Sequence, residues 1–97
     1  MKAYELLLLT NPSLDDEARP AVLEKVRNLI TADGGTVDSV DEWGKRKLAY
    51  EIASITEGDY TLFDFHAEPA SIAELDRVLH ITDGVVRYML VRREDRE

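Results

Sequence analysis

The sequence predicts an α+β sandwich in which a four-stranded antiparallel sheet carries two helices on one face. Strand-like segments and amphipathic segments follow one another in the order β-α-β-β-α-β over 97 residues. Right-handed crossovers through the two helices bring all four strands into one antiparallel sheet, which is the ferredoxin-like arrangement. A chain of this length can bury one core, so we expect a single domain, 1–97, with its last few residues frayed.

The first strand is predicted at residues 2–10. Four consecutive leucines, Leu6–Leu9, are typical of a strand covered on both faces, as a central strand is. This apolar run is much shorter than a signal-peptide core or a membrane span, so we expect no association with a membrane. Asn11-Pro12 ends the strand.

The first helix follows from apolar residues at three- and four-residue spacing, and Gly34-Gly35 predicts its end. Its beginning is ambiguous. Ser13–Asp16 resembles a capping box, but Pro20 would then lie inside the helix and remove a hydrogen bond. We expect a loosely wound start at residues 14–19 and a regular helix to Ala32.

The centre of the chain predicts two strands. Residues 36–43 alternate imperfectly, Gly44 marks a bulge or bend, and the strand resumes over 48–52, so we expect one long bent strand. Residues 56–59 are predicted as a turn, and residues 60–67 as the next strand.

The second helix is predicted from the capping-box pattern of Ser71 and Glu74 and from the apolar spacing that follows. Thr82-Asp83-Gly84 ends this helix. His80 lies near its end, where an imidazolium would interact favourably with the helix dipole. The last strand is predicted at Val85–Arg92.

Strand alternation separates a face that meets the helices from an open face. Asp64 and His66 mark the open side of the third strand, so Phe63 and Phe65 are expected in the core. We also expect an apolar patch on the open face, which is typical of a site for a protein partner, although scattered exposed apolar side chains are common. The patch consists of Leu7, Leu9, Leu62, Met89 and Val91.

The chain is acidic, with a formal charge of −8 from 20 acidic and 12 basic side chains. This charge argues against nonspecific attraction to nucleic acid. The absence of cysteine excludes disulfides and cysteine-based metal or redox chemistry, and it is compatible with the cytoplasm. The two histidines lack metal-ligand spacing, so we expect no metal and no cofactor.

One run, Trp43–Tyr50 (WGKRKLAY), concentrates positive charge in this acidic chain. Lys45, Arg46 and Lys47 are consecutive, and in an extended segment Arg46 points to one side and the two lysines to the other. Such side chains suit a phosphate backbone, because they are hydrogen-bond donors and arginine can hold two oxygens. Basic triplets are also common on solvated turns, so the run alone allows both interpretations.

Two other classes of protein with this architecture are disfavoured. An acylphosphatase needs a first loop that cradles phosphate, but the loop Thr10–Asp16 is acidic and lacks glycine. An RNA-recognition motif needs stacking aromatics on the open face, where Tyr60 alone is expected. The spacing of Asp64 and His66 is more typical of surface residues than of a catalytic dyad, and no nucleophile motif is present, so we expect neither an enzyme nor a small-molecule substrate.

Several segments together carry a family resemblance: Lys2–Glu5, Asn11-Pro12, Glu42–Ile52, Gly58, Glu74–Arg77 and Val86–Arg92. Through them the chain resembles, over essentially its whole length, the bacterial small-subunit ribosomal protein six family. The resemblance implies a structural protein of the ribosome, located in the cytoplasm and without enzymatic activity. It implies binding to the central domain of small-subunit ribosomal RNA together with the basic ribosomal protein eighteen.

The resemblance also implies which residues contact RNA, at positions that match basic residues of the family. These positions are Lys2, Lys45, Arg46, Lys47, Arg87 and Arg92. Ala3 stands where family members often have a second basic residue, so one phosphate contact of the family is missing. The alternative function is a ferredoxin-like interaction or regulatory module that dimerises through the apolar patch of its sheet.

Overall fold

The computed structural model describes residues 1–12, 17–32, 34–52 and 55–96, and for residues 49–52, 55 and 56 it describes the backbone alone. The elements within these ranges are β1 Lys2–Thr10, α1 Ala18–Thr31, β2 Thr36–Ile52, β3 Ile55–Ala67, α2 Pro69–Ile81, β4 Val85–Arg92 and a 3-10 helix Glu94–Arg96. The bounds predicted for β1 and β4 are confirmed.

The four strands form one sheet in the order β2-β3-β1-β4, and each neighbouring pair is antiparallel. β1 and β3 are therefore the central strands. The central position predicted for β1 is confirmed, but the helices cover only one of its faces: Leu6 and Leu8 are buried in the core, whereas Leu7 is half-buried on the open face. The ferredoxin-like fold that the order of elements predicts is confirmed.

The core lies between the sheet and the two helices. Phe63 and Phe65 of β3 are almost completely buried, as strand alternation predicts. Tyr4 of β1 stacks on Phe65, with ring centroids 5.7 Å apart. The remaining buried members of this cluster are Leu6, Leu8, Val22, Val26, Ile30, Ala67, Leu75 and Leu79. Both helices thus contribute their apolar stripes to one face of the sheet.

α1 begins at Ala18, two residues before Pro20. Pro20 therefore occupies the first turn, where backbone N–H groups have no acceptor within the helix, so its missing N–H costs no helical hydrogen bond. The helix ends at Thr31, one residue earlier than predicted, and Gly34 follows with φ +84°. The capping box predicted at Ser13–Asp16 lies outside the described residues.

α2 begins at Pro69, so Ser71 lies within its first turn and the predicted capping box is wrong. The actual N-cap is Glu68, whose backbone is extended, and Pro69 supplies a φ that already suits the helix. Glu74 does not cap the helix but forms an ion pair with Arg77. Its Oε1 lies 2.6 Å from Nη2 of Arg77, one turn further along the exposed surface.

β3 begins at Ile55, so the turn predicted at residues 56–59 is wrong. Gly58 pairs with Arg46 of β2 and thus belongs to the strand. A β-carbon at Gly58 would collide with the side chain of Leu9 on β1. The glycine that suggested a turn instead permits a close approach between two strands.

Candidate nucleic-acid interface

A two-stranded extension projects past the end of the sheet. β1 pairs with β3 only as far as Asp59, whereas β2 and β3 continue to pair beyond that point, to Ile52 opposite Ile55. We call residues 45–52 and 55–58 the ribbon. Lys45 lies in the last row that includes β1, while Arg46 and Lys47 lie beyond it, where β2 and β3 pair only with each other in the described part of the chain.

The three basic residues of the ribbon are solvent-exposed. Lys45 and Lys47 each face a carboxylate residue of β3, whereas Arg46 faces Gly58. Alternation therefore places Arg46 on the open side of the sheet and the lysines on the side that carries the helices; the sequence predicts their opposite sides but not which side is open. None of the three side chains forms an ion pair within the described ranges.

Arg87 lies on the open face at the same end of the sheet as the ribbon. Strand register aligns it with Leu9 of β1, Tyr60 of β3 and Gly44 of β2, which form one row across the four strands. The ends of this row are three strand spacings apart, or about 14 Å. Arg87 is therefore close enough to act with the basic triplet on one extended ligand.

Lys2 and Arg92 lie at the opposite end of the sheet. Lys2 pairs with Ala67, eight residues along β3 from the Asp59 that faces Lys45. At about 3.3 Å per residue, this separation is ~26 Å. Nη1 of Arg92 lies 4.0 Å from Oε1 of Glu94. A surface that included all six predicted RNA contacts would have to extend over the whole sheet.

A bulge before Gly44 determines where the Trp43 side chain lies. The register between β2 and β3 shifts at this point, and Gly44 has φ +80°, a conformation that glycine adopts easily. The indole ring of Trp43 lies 6.0 Å from the ring of Tyr60, and its Nε1 donates a hydrogen bond to Oδ2 of Asp41 at 3.1 Å. Trp43, Tyr60 and Arg46 line one shallow depression. The bend predicted at Gly44 is confirmed.

The apolar patch of the open face is smaller than the sequence predicts. Met89 is 53% exposed and Val91 41% exposed, while Leu7 and Leu62 are half-buried. Leu9 lies on the open face but is only 3% exposed, because its side chain packs in the space above β3 that the glycine leaves. The exposure predicted for Leu9 is therefore wrong.

Residues 93–96, which we call the C-terminal clasp, lie against the other end of the open face. Arg93 forms an ion pair with Glu5 of β1, and Arg96 forms one with Asp64 of β3. These two carboxylates stand side by side, because their residues pair in the sheet. The clasp thus occupies acidic groups that the sequence predicts to be exposed, while fraying of the last residues stays a prediction.

Two features of this surface are not predicted from the sequence. The sequence does not predict that Trp43 lies beside Tyr60 on the open face, or that residues of the C-terminal clasp form ion pairs with the sheet. The signal for the first was the glycine that follows the tryptophan, because a bulge changes which side a residue faces. The signal for the second was the three-residue spacing of Arg93 and Arg96, which places both on one side of a helical turn.

The histidines form pairs and not clusters. Nδ1 of His66 lies 2.5 Å from Oδ2 of Asp38, and Nδ1 of His80 lies 2.9 Å from the hydroxyl of Tyr88. That hydroxyl also donates to Oδ1 of Asp76 at 2.6 Å, and this hydrogen bond, with burial, raises the pKa of Tyr88 to about 12. Within the described ranges, no three histidine or acidic side chains come together as metal ligands.

No helix in the described part of the chain has both the length and the apolar character that crossing a bilayer requires.

Comparisons with known proteins agree on one family. The profile of the family described as ribosomal protein S6 matches residues 3–92. The small ribosomal subunit protein bS6 of Clostridium perfringens strain SM101 is 53% identical over 94 residues, which cover 97% of this chain and 99% of that protein. The structure is also similar to the crystal structure of 30S ribosomal protein S6 from Thermotoga maritima, with a TM-score of 0.91 and 33% sequence identity. The match covers 97% of this chain and 89% of that chain.

A more distant solved structure shares the fold alone. The C-terminal domain of the MgtC protein from Mycobacterium tuberculosis has a TM-score of 0.65 at 14% identity, covering 100% of this chain and 93% of that chain.

Proposed function

The chain belongs to the family of ribosomal protein S6 of the small subunit, and we propose that it binds the central domain of small-subunit ribosomal RNA together with the basic ribosomal protein eighteen. The family is one of structural ribosomal proteins and not of enzymes. In this proposal the protein is located on the ribosome in the cytoplasm, and the basic triplet supplies its phosphate contacts.

The observation that carries the proposal is the exposure of Lys45, Arg46 and Lys47 on the ribbon without ion pairs in the described ranges. A cation that is already paired must break its pair before it contacts a phosphate, whereas these three need not. The net charge of −8 does not prevent such a contact. At physiological salt, charges are screened over about 8 Å, so local cations outweigh distant carboxylates at the point of contact.

The salt dependence of RNA binding tests this proposal. If the triplet neutralises about three phosphates, affinity for the central-domain RNA, measured with protein eighteen present, should fall with a log–log slope of roughly −2 to −3. A fourfold rise in salt then weakens binding by about one to two decades. Replacing all three residues by alanine should make the slope much shallower.

A matched control removes the same charge elsewhere. The variant Lys25→Ala, Arg27→Ala, Arg77→Ala takes three exposed cations from the helical layer and leaves the ribbon intact. We expect it to keep the wild-type slope. If both triple variants lower the slope equally, the effect is one of net charge, and the assignment of phosphate contacts to the ribbon is wrong.

The open face supports the second part of the proposal. Its apolar patch, now reduced to Leu7, Leu62, Met89 and Val91, lies partly exposed on the face of the sheet opposite the helices, and such a patch is typical of a surface that binds a protein. Met89→Ser with Val91→Ser should weaken binding of protein eighteen. Ile81→Ser is the control, because Ile81 is an exposed apolar residue at the end of α2.

The alternative module that dimerises through the sheet face predicts a different result. Sedimentation would show a stable dimer that dissociates in the Met89→Ser, Val91→Ser variant, and the dimer would have no affinity for ribosomal RNA with or without protein eighteen. A monomer that binds RNA only alongside protein eighteen excludes this alternative.

A further inference from the structure

We propose that Trp43 is a stacking site for an unpaired nucleobase, with Arg46 holding a phosphate of the same or the adjacent nucleotide. This inference rests on the proposed RNA-binding function and adds an aromatic contact to its phosphate contacts. It assigns a role to the aromatic side chain that begins the basic run Trp43–Tyr50.

The first argument is the way the indole is presented. Trp43 is 41% exposed, although tryptophan is among the side chains that gain most from burial. Its orientation is fixed by the hydrogen bond from Nε1 to Asp41 and by the ring of Tyr60. Because the ring of Trp43 is already ordered, little side-chain entropy is lost when a planar ligand stacks on it.

The second argument is the charge around the ring. Two carboxylates line the same depression, but both are engaged: Asp41 accepts the indole N–H, and Glu42 lies 3.0 Å from Nη2 of Arg19. Arg46 has no ion pair within the described ranges. The depression therefore combines an exposed aromatic surface with an uncompensated guanidinium. A ligand that is both flat and anionic matches this combination, and a nucleotide of a single strand has both properties.

The third argument is access. A β-carbon placed on Gly44 would have no atom within 4 Å apart from those of its chain neighbours Trp43 and Lys45, so no other described residue fills the space beside the bulge. A nucleotide can therefore approach the ring along the bulge without displacing a side chain. Tyr60 continues the aromatic surface on the next strand, towards Leu9 and Arg87 in the same row. The strand of a bound RNA would follow this row across the open face.

Fluorescence tests the stacking directly, because Trp43 is the one tryptophan of the chain. The probes are single-stranded oligoadenylate, single-stranded oligouridylate and inorganic polyphosphate, which has the charge but no base. Each oligonucleotide should quench the fluorescence of Trp43 saturably. Polyphosphate should bind through the basic residues and leave the fluorescence nearly unchanged. Equal quenching by polyphosphate would overturn the stacking assignment.

Variants separate stacking from charge, with affinity measured by polarisation of a labelled oligonucleotide and folding checked by circular dichroism. Trp43→Leu keeps an apolar side chain but removes the ring, and it should weaken oligonucleotide binding by about 5- to 100-fold while binding of polyphosphate is unchanged. Trp43→Phe should restore most of the affinity. Lys47→Ala should weaken both ligands and leave the amplitude of quenching as in the wild type.

Central-domain RNA with protein eighteen distinguishes this inference from the function on which it rests. If that RNA binds but Trp43 is not quenched, the stacking site is wrong and the proposed function stands. If the RNA does not bind but the oligonucleotides quench Trp43, the proposed function fails and the stacking site stands. If neither occurs, both are wrong.

Discussion

The side chain of Leu9 occupies the space that a side chain at Gly58 would need. Leu9 is 3% exposed on the face of the sheet without helices, and Gly58 lies on the adjacent strand with nothing beyond its α-carbon. Gly58→Ala should therefore destabilise the protein by about 1–3 kcal/mol, the usual cost of overpacking a filled site. Urea denaturation measures this loss as a lower midpoint at unchanged slope.

The double variant Gly58→Ala, Leu9→Ala is the matching test. Leu9→Ala removes the side chain that the new methyl group meets, so the double variant should be more stable than the sum of the two single changes predicts. Strict additivity would show that Leu9 does not cause the loss.

A second prediction concerns Gly44, where a substitution would strain the backbone without causing a steric clash. Its φ is +80°, yet an added β-carbon would meet no atom within 4 Å. Gly44→Ala should cost about 1–2 kcal/mol through the left-handed conformation alone. Gly44→Asn should cost less, because asparagine tolerates this region better. Equal losses in the two variants would contradict this explanation.

Because of Tyr88, the stability of the protein should change with pH in the alkaline range. Its pKa is raised to about 12 by the hydrogen bond to Asp76 together with burial, whereas an unfolded tyrosine titrates near 10. Above pH 10 the folded state therefore binds the proton more strongly than the unfolded state. Stability should be complete below pH 10 and decline between pH 10 and 12. In the variant Asp76→Asn, ultraviolet titration should show a lower pKa of Tyr88, shifted towards 10, because the hydrogen bond to the carboxylate is lost while the burial remains.

Because of the pair of Arg93 and Asp95, stability should also change with pH in the acidic range, where it should fall as the pH is lowered. Its hydrogen bond to Asp95 holds the pKa of that carboxyl below 3.8. The contribution of this pair to stability is thus present above pH 3.8 and is lost as the pH falls through the lower pKa of the folded state. In an NMR titration, Arg93→Ala should move the pKa of Asp95 towards 3.8. The pKa of Glu74, which Arg77 lowers in the same way, is the internal control and should not change.

The sequence predicts the architecture well where the pattern is local and long. The predicted bounds of β1 and β4 agree with the observed ones, because β1 contains an apolar run that ends at Asn11-Pro12 and β4 is a largely apolar segment that begins after Asp83-Gly84. The errors occur where one residue type has two uses. Glycine suggested a turn at Gly58, where it instead permits close packing between strands. Serine suggested a cap at Ser71, while Pro69 two residues earlier begins the helix.

The candidate site was predicted in part for the same reason. The exposure and the alternation of Lys45, Arg46 and Lys47 follow from an extended segment, and the structure agrees with both. The position of Trp43 depends on the register between β2 and β3, which no local pattern of β2 determines. The distance between Lys2 and the triplet likewise requires the pairing of β1 with β3.

The ribbon makes the charge distribution of the molecule asymmetric. The ribbon has a formal charge of +1, from three cations and the two carboxylates of Glu51 and Glu57, whereas the chain as a whole has a formal charge of −8. A polyanion that approaches along any other line is repelled, so productive encounters are those in which the ribbon leads. If the protein binds RNA as proposed, its acidity would lower the number of encounters but would raise the share of them in which the ribbon faces the RNA.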